Sequence, residues 1–220
     1  FMSLVANYKA HTEERAKLGV PPLALTAEQV ADLVELLKVS PIVESDYVLN
    51  LFENKIPAGV DDAAYVKAAF LNDVVQGNVS CDAIDASHAC VILGKMLGGF
   101  NVTPLVEALK IEAIAEVAAT QLKNTLLVYD SFNDVKALMD AGNTHAKGVV
   151  ESWANAEWFT NKDAIPAETT VTVYKIPGET NTDDLSPASE AFTRADIPLH
   201  ANSFLVNRMD NPLPTMEELK

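Results

Sequence analysis

Residues 26–37 read TAEQVADLVELL, and this stretch indicates how most of the chain folds. Thr26, followed three positions later by Gln29, has the form of a capping box, in which each side chain binds the other residue's backbone amide at the start of a helix. The apolar residues that follow, up to Leu37, recur at helical spacing. The stretch therefore predicts an amphipathic helix with one buried face, which ends before Pro41.

The same helical pattern extends from Leu4 to about Phe159 and predicts a mainly α fold. The further predicted helical segments are 46–52, 61–74, 82–97, 103–109, 111–127, 132–139 and 144–159. In the segment 61–74 the expected apolar face carries Tyr65, Val66, Ala69, Phe70 and Val74. Short helices at similar intervals favour a stacked helical-repeat array, because none of them can bury its apolar stripe alone. An irregular helical bundle would have the same composition and remains the alternative.

The pattern changes after residue 161. Residues 169–176 alternate β-branched and polar side chains, which is typical of a half-buried strand. Prolines at five later positions, from Pro177 to Pro214, exclude long helices there. We therefore predict two domains, at residues 1–162 and 163–220. The second is short for a core of its own and resembles the beginning of a larger domain.

Composition limits the partners of the chain. Its 220 residues carry a formal net charge of −15, which argues against general nucleic-acid binding, since such binding needs clustered lysine and arginine. No apolar run reaches the roughly 18 to 20 residues of a membrane span. The N-terminus also lacks the basic and apolar regions of a signal peptide. Together these features predict a cytoplasmic protein that does not enter a membrane.

The two cysteines do not form a disulfide framework or a metal site in this interpretation. Cys81 and Cys90 are nine residues apart, and on one helix this spacing would point them to opposite faces. We expect buried structural thiols. The histidines at 11, 88 and 145 lie in predicted helical segments and have no second ligand four residues on, so no metal is predicted there.

A polar loop, GETNTDDLSPA at residues 178–188, follows the predicted strand. Its short Thr, Asn, Asp and Ser side chains can fold back on backbone amides and hold the loop in one shape. Such a loop at a strand end suits a binding site, although a plain structured turn has the same composition. The adjacent Asp183 and Asp184 are weak evidence for a metal, since no third ligand follows at regular spacing.

Five stretches together resemble the N-terminal part of the bacterial aconitate hydratase B family. They are PAGVDDAAYVKA (57–68), GGFNVTPL (98–105), SWANAEWF (152–159), the loop 178–188 and DIPLHA (196–201). The resemblance implies a HEAT-like helical-repeat domain followed by the beginning of a β-containing α/β swivel domain.

The resemblance also implies an activity. Members of this family are hydro-lyases of the tricarboxylic acid cycle that interconvert citrate and isocitrate through cis-aconitate, and some also act on 2-methyl analogues. Their [4Fe-4S] cluster is held by three cysteines far downstream of the matched region. We therefore expect this chain to bind no cluster, Cys81 and Cys90 to be no ligands, and the chain alone to be inactive.

Arg194 stands where the family has a substrate-binding arginine, and its guanidinium could grip a carboxylate of a tricarboxylate through two parallel hydrogen bonds. A surface arginine paired with Asp196 is the alternative. The resemblance further implies a set of residues that shape the active-site cleft: Asn181, Thr182, Asp183, Ser186 and His200. No catalytic residue is expected in this chain.

A second hypothesis is a helical-repeat interaction module. The resemblance implies a homodimer formed through the helical domain and a regulatory role linked to RNA. The acidic charge argues against direct RNA binding by this segment alone.

Overall fold

The structure, a computed structural model, describes residues 2–17, 22–173, 175–176, 178–193, 200–201 and 203–205, and these residues are mainly helical. Its helices, in chain order, are α1 (Met2–Lys17), α2 (Ala27–Leu37), α3 (Ser45–Asn54), α4 (Asp62–Val75), α5 (Ala86–Lys95), α6 (Val102–Ala108), α7 (Ala115–Asn124), α8 (Ser131–Asp140), α9 (Thr144–Ala154), α10 (Glu157–Thr160), α11 (Thr182–Leu185) and a 3-10 helix (Ala188–Thr193).

The predicted capping box at the start of α2 is confirmed. The Thr26 backbone amide donates to Gln29 Oε1 at 2.9 Å, and the Gln29 amide donates to Thr26 Oγ1 at 3.3 Å. Asp61 caps α4 in a related way by accepting from the Ala63 amide at 2.8 Å. These side chains bind amides that the first helical turn leaves without partners, which explains why the helices begin where they do.

One hydrophobic core runs through the helical region, from Leu4 in α1 to Val149 in α9. The main helix contacts join elements that are close in sequence, such as α2 with α4, α4 with α5, α5 with α7 and α7 with α9. α1 contacts α2 at one end of this series, and α10 contacts α7 and α9 at the other. Each helix therefore buries its apolar face against near neighbours along the chain.

Side chains also bind the carbonyl groups at the ends of neighbouring helices. Asn101 is buried, and its Nδ2 donates to the Leu93 and Met96 carbonyls at 2.9 and 3.1 Å. Three other side chains also donate to backbone carbonyls. Asn143 Nδ2 donates to the Leu109 carbonyl at 2.8 Å, Trp153 Nε1 to the Leu122 carbonyl at 2.9 Å, and Lys67 Nζ to the Glu53 carbonyl at 3.0 Å. These bonds give carbonyls near helix C-termini a side-chain donor and link the end of α3 to α4, the end of α5 to the start of α6, and the ends of α6 and α7 to α9.

Three predicted helices differ from the structure by more than two residues at one end or both. The segments 82–97 and 111–127 are shorter, as α5 and α7. Asp85 caps α5 by accepting from the His88 amide at 2.7 Å, so this helix begins after it. The segment 144–159 divides into α9 and α10 at Ala156, whose φ of 52° interrupts the helical hydrogen bonding.

The apolar face predicted for α4 is wrong in part. Phe70 and Val74 are buried as expected, but Tyr65 and Ala69 are exposed. The buried face instead includes small residues, Ala63, Ala64 and Ala68. Small side chains let α4 approach α2 and α5 closely, and a search for bulky apolar residues does not detect that requirement.

Residues 169–173, 175 and 176 form neither strand nor helix in the structure, so the strand expected over 169–176 is not seen in them. Val171 and Val173 are exposed. A strand forms only where another strand pairs with its backbone groups, and alternation in the sequence does not supply that partner. Within the described part of the chain, no helix is both long and apolar enough to cross a membrane.

Candidate functional site

The loop 178–188 is held by hydrogen bonds between its own side chains and backbone. Asn181 Oδ1 accepts from the Asp184 amide, and Asp184 Oδ2 accepts from the Asn181 amide, both at 3.0 Å. This is a second capping box, and it starts the short helix α11. The Ser186 amide donates to the Thr182 carbonyl at 2.7 Å and closes the turn. The prediction that short polar side chains fix this loop is therefore confirmed.

A turn at residues 200–205 contacts the end of this loop. Ser186 Oγ lies 2.8 Å from His200 Nε2, and the Leu205 amide donates to the Asp184 carbonyl at 2.7 Å. Ser203 Oγ donates to the His200 carbonyl at 2.7 Å, which stabilises the turn itself. We call residues 181–205, as far as they are described, the site segment. Its two ends are joined by one side-chain and one backbone hydrogen bond.

The structure brings together two of the predicted site residues, Ser186 and His200, which are both half-buried. Asn181, Thr182 and Asp183 lie on the exposed side of the capped turn that precedes Ser186. Arg194 lies outside the described residues, as does Asp196.

Sequence reasoning did not identify the capping partner of Asn181 or the burial of Glu190 in the site segment. Asp184 is the capping partner of Asn181, and the three-residue spacing between them was the signal that could have shown it. Glu190 is only 4% exposed, which is unusual for a carboxylate. No pattern in the sequence indicated that burial.

Cys90 does not suit an iron–sulfur cluster, and the expectation of buried thiols holds for Cys90 but not for Cys81, which is half-buried. Cys90 is buried in α5, and burial raises the pKa of its thiol to about 11, so the thiolate that a cluster requires is disfavoured. Cys81 lies before α5, so it does not share a helix with Cys90. The expectation that the two thiols point to opposite faces of one helix therefore does not apply. No three His, Cys, Asp or Glu side chains gather as metal ligands among the residues that the structure describes.

His88 has a structural partner: its Nε2 lies 2.8 Å from Glu53 Oε1, so it joins α5 to α3. His11 Nε2 accepts from the Leu23 amide at 3.0 Å and joins α1 to the segment before α2.

Comparison with known proteins decides the family. Residues 7–159 match the aconitate B N-terminal domain family, and residues 171–220 match the aconitate hydratase 2 N-terminus. The chain belongs to the aconitate hydratase B family. Its helices α2 to α9 all lie within the first matched region.

Relatives in this family match almost the whole chain. Aconitate hydratase B of Synechocystis sp. is 51% identical over 99% of this chain, and that alignment covers 25% of the relative. Aconitate hydratase B of Pseudomonas aeruginosa is 51% identical and that of Escherichia coli 47% identical, each over 96% of this chain and 24% of the relative. The chain thus spans about a quarter of the length of these curated relatives.

Proposed function

We propose that this chain is the N-terminal part of a cytoplasmic aconitate hydratase of the tricarboxylic acid cycle, which interconverts citrate and isocitrate through cis-aconitate. The observation that carries the proposal is the match, at about half identity and nearly end to end, with proteins named aconitate hydratase B. Activity on 2-methylisocitrate belongs to the same proposal, because it would use the same dehydration chemistry.

The proposal divides the chain into a HEAT-like domain at 1–162 and the beginning of a swivel domain at 163–220. Two findings support the division: the two family matches end and begin on either side of residues 160–170, and the described residues from Phe159 to Val173 are exposed. The strand at 169–176 would then form when the rest of the swivel domain provides a neighbouring strand.

In this proposal Arg194 binds a substrate carboxylate, and the capped turn with Asn181, Thr182 and Asp183 forms one wall of the cleft. The hydrogen bond between Ser186 and His200 supports this role, because it holds the turn against residues that follow Arg194. The [4Fe-4S] cluster of the full-length enzyme supplies a Lewis acid and would be held by cysteines outside this chain. The chain alone is accordingly inactive.

Steady-state kinetics of the full-length polypeptide, reconstituted with iron and sulfide without oxygen, test this function. Arg194→Met should raise the KM for isocitrate about tenfold or more, because a charge-assisted hydrogen bond pair is lost. Lys175→Met removes an exposed cation of the same region and should leave KM unchanged. Turnover by the 220-residue chain without iron, or an unchanged KM in Arg194→Met, would contradict the proposal.

A second candidate function, self-association through the helical region, is favoured by one observation. Exposed apolar side chains lie after α7 and on α10, two elements that contact each other: Leu127 is 72% exposed and Phe159 67% exposed. Exposed apolar patches are typical of interaction surfaces, and the proposal is that these two side chains belong to one.

Sedimentation velocity at several concentrations tests the homodimer. The wild-type chain should shift towards a dimer as its concentration rises, and the double variant Leu127→Ser/Phe159→Ser should remain a monomer. Val60→Ser changes an exposed apolar residue before α4 and serves as the control. A wild-type chain that stays monomeric throughout would exclude this surface as a dimer interface.

A further inference from the structure

The capped turn of the candidate site is too short to fix its own direction. α11 has four residues, and its capping box and the bond from the Ser186 amide to the Thr182 carbonyl close a single helical turn. A helix of that length has little stability by itself, because its first turn fixes several backbone angles for few hydrogen bonds. Contacts with another part of the chain must therefore determine where this turn points.

Two contacts with the turn at residues 200–205 provide this support. The Leu205 amide donates to the Asp184 carbonyl at 2.7 Å, which lies within α11. Ser186 Oγ, directly after α11, lies 2.8 Å from His200 Nε2. The end of α11 is thus held by one backbone bond and one side-chain bond, and we call these two contacts the clasp.

The turn that carries His200 is buried and contains a strained residue. Ser203 is 4% exposed and Leu205 is 8% exposed. Leu205 has a φ of 61°, in the left-handed region that is unfavourable for a residue with a Cβ. Such a conformation persists where the surrounding structure enforces it, and strained residues of this kind cluster at functional sites. The amide that Leu205 directs at Asp184 therefore belongs to a surface with a fixed shape.

The same turn orients the ring of His200 for its bond to Ser186. Ser203 Oγ donates to the His200 carbonyl at 2.7 Å, so its hydrogen is already used. Ser203 Oγ can then only accept from His200 Nδ1, which lies 3.5 Å away. In the neutral ring, a proton on Nδ1 leaves Nε2 as the acceptor for the Ser186 hydroxyl. The bond across the clasp therefore has a defined direction, from the Ser186 hydroxyl to His200 Nε2.

The clasp determines which side chains the capped turn presents. Ser186 and His200 are half-buried where the two turns meet, whereas Thr182 and Asp183 are exposed. The proposed function places these two exposed side chains in one wall of the substrate cleft. Without the bond to His200 the capping box would remain, because it lies within the turn itself, but the direction of the turn would no longer be fixed.

We propose that His200 is a positioning residue: it holds the Ser186 hydroxyl and thereby fixes the capped turn, so that Thr182 and Asp183 face the tricarboxylate substrate in one arrangement. The role towards the substrate rests on the function proposed above, whereas the clasp rests on the hydrogen bonds themselves. A wall that is ordered in advance lowers the entropy lost when the substrate binds. Loss of the clasp should therefore weaken substrate binding and leave the chemical step almost unchanged.

Amide hydrogen exchange of the 220-residue chain tests the clasp without any activity. His200→Leu should speed exchange about tenfold at residues 184–186 and at Leu205, because local opening no longer breaks the side-chain bond. His200→Gln keeps an acceptor for the Ser186 hydroxyl and should restore most of the protection. His145→Leu changes a half-buried histidine of α9 and should leave these amides unchanged. Equal exchange in His200→Leu and wild type would overturn the clasp.

Kinetics of the reconstituted full-length polypeptide test the positioning. His200→Leu and Ser186→Ala should each raise the KM for isocitrate about fivefold to tenfold with kcat nearly unchanged, and the double variant should not multiply the two effects. His200→Gln and Ser186→Thr should restore most of the loss, and His145→Leu should match the wild type. An unchanged KM in His200→Leu, a fall in kcat at constant KM, or no rescue by either conservative variant would overturn the positioning role. An inactive wild-type polypeptide would instead refute the proposed function, and hydrogen exchange would still decide the clasp.

Discussion

Lys67 is a charged side chain within the core of the helical region. It is only 6% exposed, and its Nζ donates to the Glu53 carbonyl and lies 5.4 Å from the centre of the Phe52 ring. Burial lowers the pKa of Lys67 to about 8, although Glu53 acts in the opposite direction; Lys95 lowers it further. The amine is thus retained in the core by one carbonyl and one ring, at a cost in hydration.

The free energy of unfolding should therefore rise with pH because of Lys67. The pKa is about 8 in the folded chain and 10.5 for the free side chain, so between these values the unfolded chain binds a proton that the folded chain has released. Stability then increases as pH rises, by about 3 kcal/mol across the window.

Urea unfolding of wild type and Lys67→Met between pH 8 and 10 checks this prediction. The wild type should gain stability relative to the variant as pH rises. Lys147→Met, which removes an exposed lysine of α9, should follow the wild type. Parallel curves for wild type and Lys67→Met would show that the pKa of Lys67 is not lowered.

Single residues also show what the sequence could reveal. The capping box of Thr26 and Gln29 was predictable because both partners lie within one helical turn. The burial of Lys67 and Glu190 was not, because lysine and glutamate are usually exposed and their environments come from elements distant in the sequence. The sequence therefore showed hydrogen bonds between residues of one helical turn. It did not show which charged side chains are buried by distant elements.

At the scale of elements, the turn after α5 approaches the turn before α4 at backbone distance. A Cβ added to Gly98 would lie 2.3 Å from the carbonyl carbon and oxygen of Gly59, and Gly98 has a φ of +95°. Gly99 also has a positive φ, of +102°, but a Cβ there would meet no atom within 4 Å. Gly98 is needed for space as well as for its backbone angle, whereas Gly99 is needed for the angle alone.

Gly98→Ala should therefore destabilise the chain more than Gly99→Ala. The positive φ costs about 1–2 kcal/mol at either position. At Gly98 the backbone of Gly59 must also move, which adds roughly 1–3 kcal/mol. Urea denaturation followed by circular dichroism measures both variants, and equal midpoints would show that the two turns do not touch.

Helix bounds illustrate the limits of periodicity at this scale. The apolar spacing predicted one helix over 144–159, but Ala156 adopts a φ of 52° and starts α10 in a new direction. The face of α4 was misassigned for a related reason, since alanines mark where helices approach closely and carry little hydrophobic signal. The existence of α2 to α9 followed from the sequence, whereas the strand expected over 169–176 is not seen in its described residues and the buried face of α4 depended on its neighbours.

At the scale of the whole molecule, a run of exposed residues follows the helical region. The described residues 158–173 are all exposed, and α10 ends at Thr160. Limited trypsin digestion should therefore cut first after Lys162, because a protease needs an extended, accessible segment. Intact-mass spectrometry over time should show a persistent fragment that ends at Lys162. First cuts within α2 to α9 would contradict this expectation and the boundary proposed at that position.

The candidate site was predictable only in part at this scale. The composition of residues 178–188 indicated a fixed loop, and the structure shows the hydrogen bonds that fix it. The contact of Ser186 with His200 joins residues that are 14 positions apart, and the burial of Glu190 requires other parts of the fold to cover it. Neither the contact of Ser186 with His200 nor the burial of Glu190 can be predicted from a local sequence pattern.

The order of the helix contacts has a consequence during synthesis. Since each of α2 to α9 packs mainly on helices close to it in sequence, the series can assemble from its first helix onward while translation continues. A ribosome adds about 5–20 residues per second, so the stretch between α9 and Glu190 emerges over a few seconds. The contacts among α2 to α9 can then be complete before residues 178–193 leave the ribosome, so the capped turn at Asn181 forms beside a helical region that is already folded.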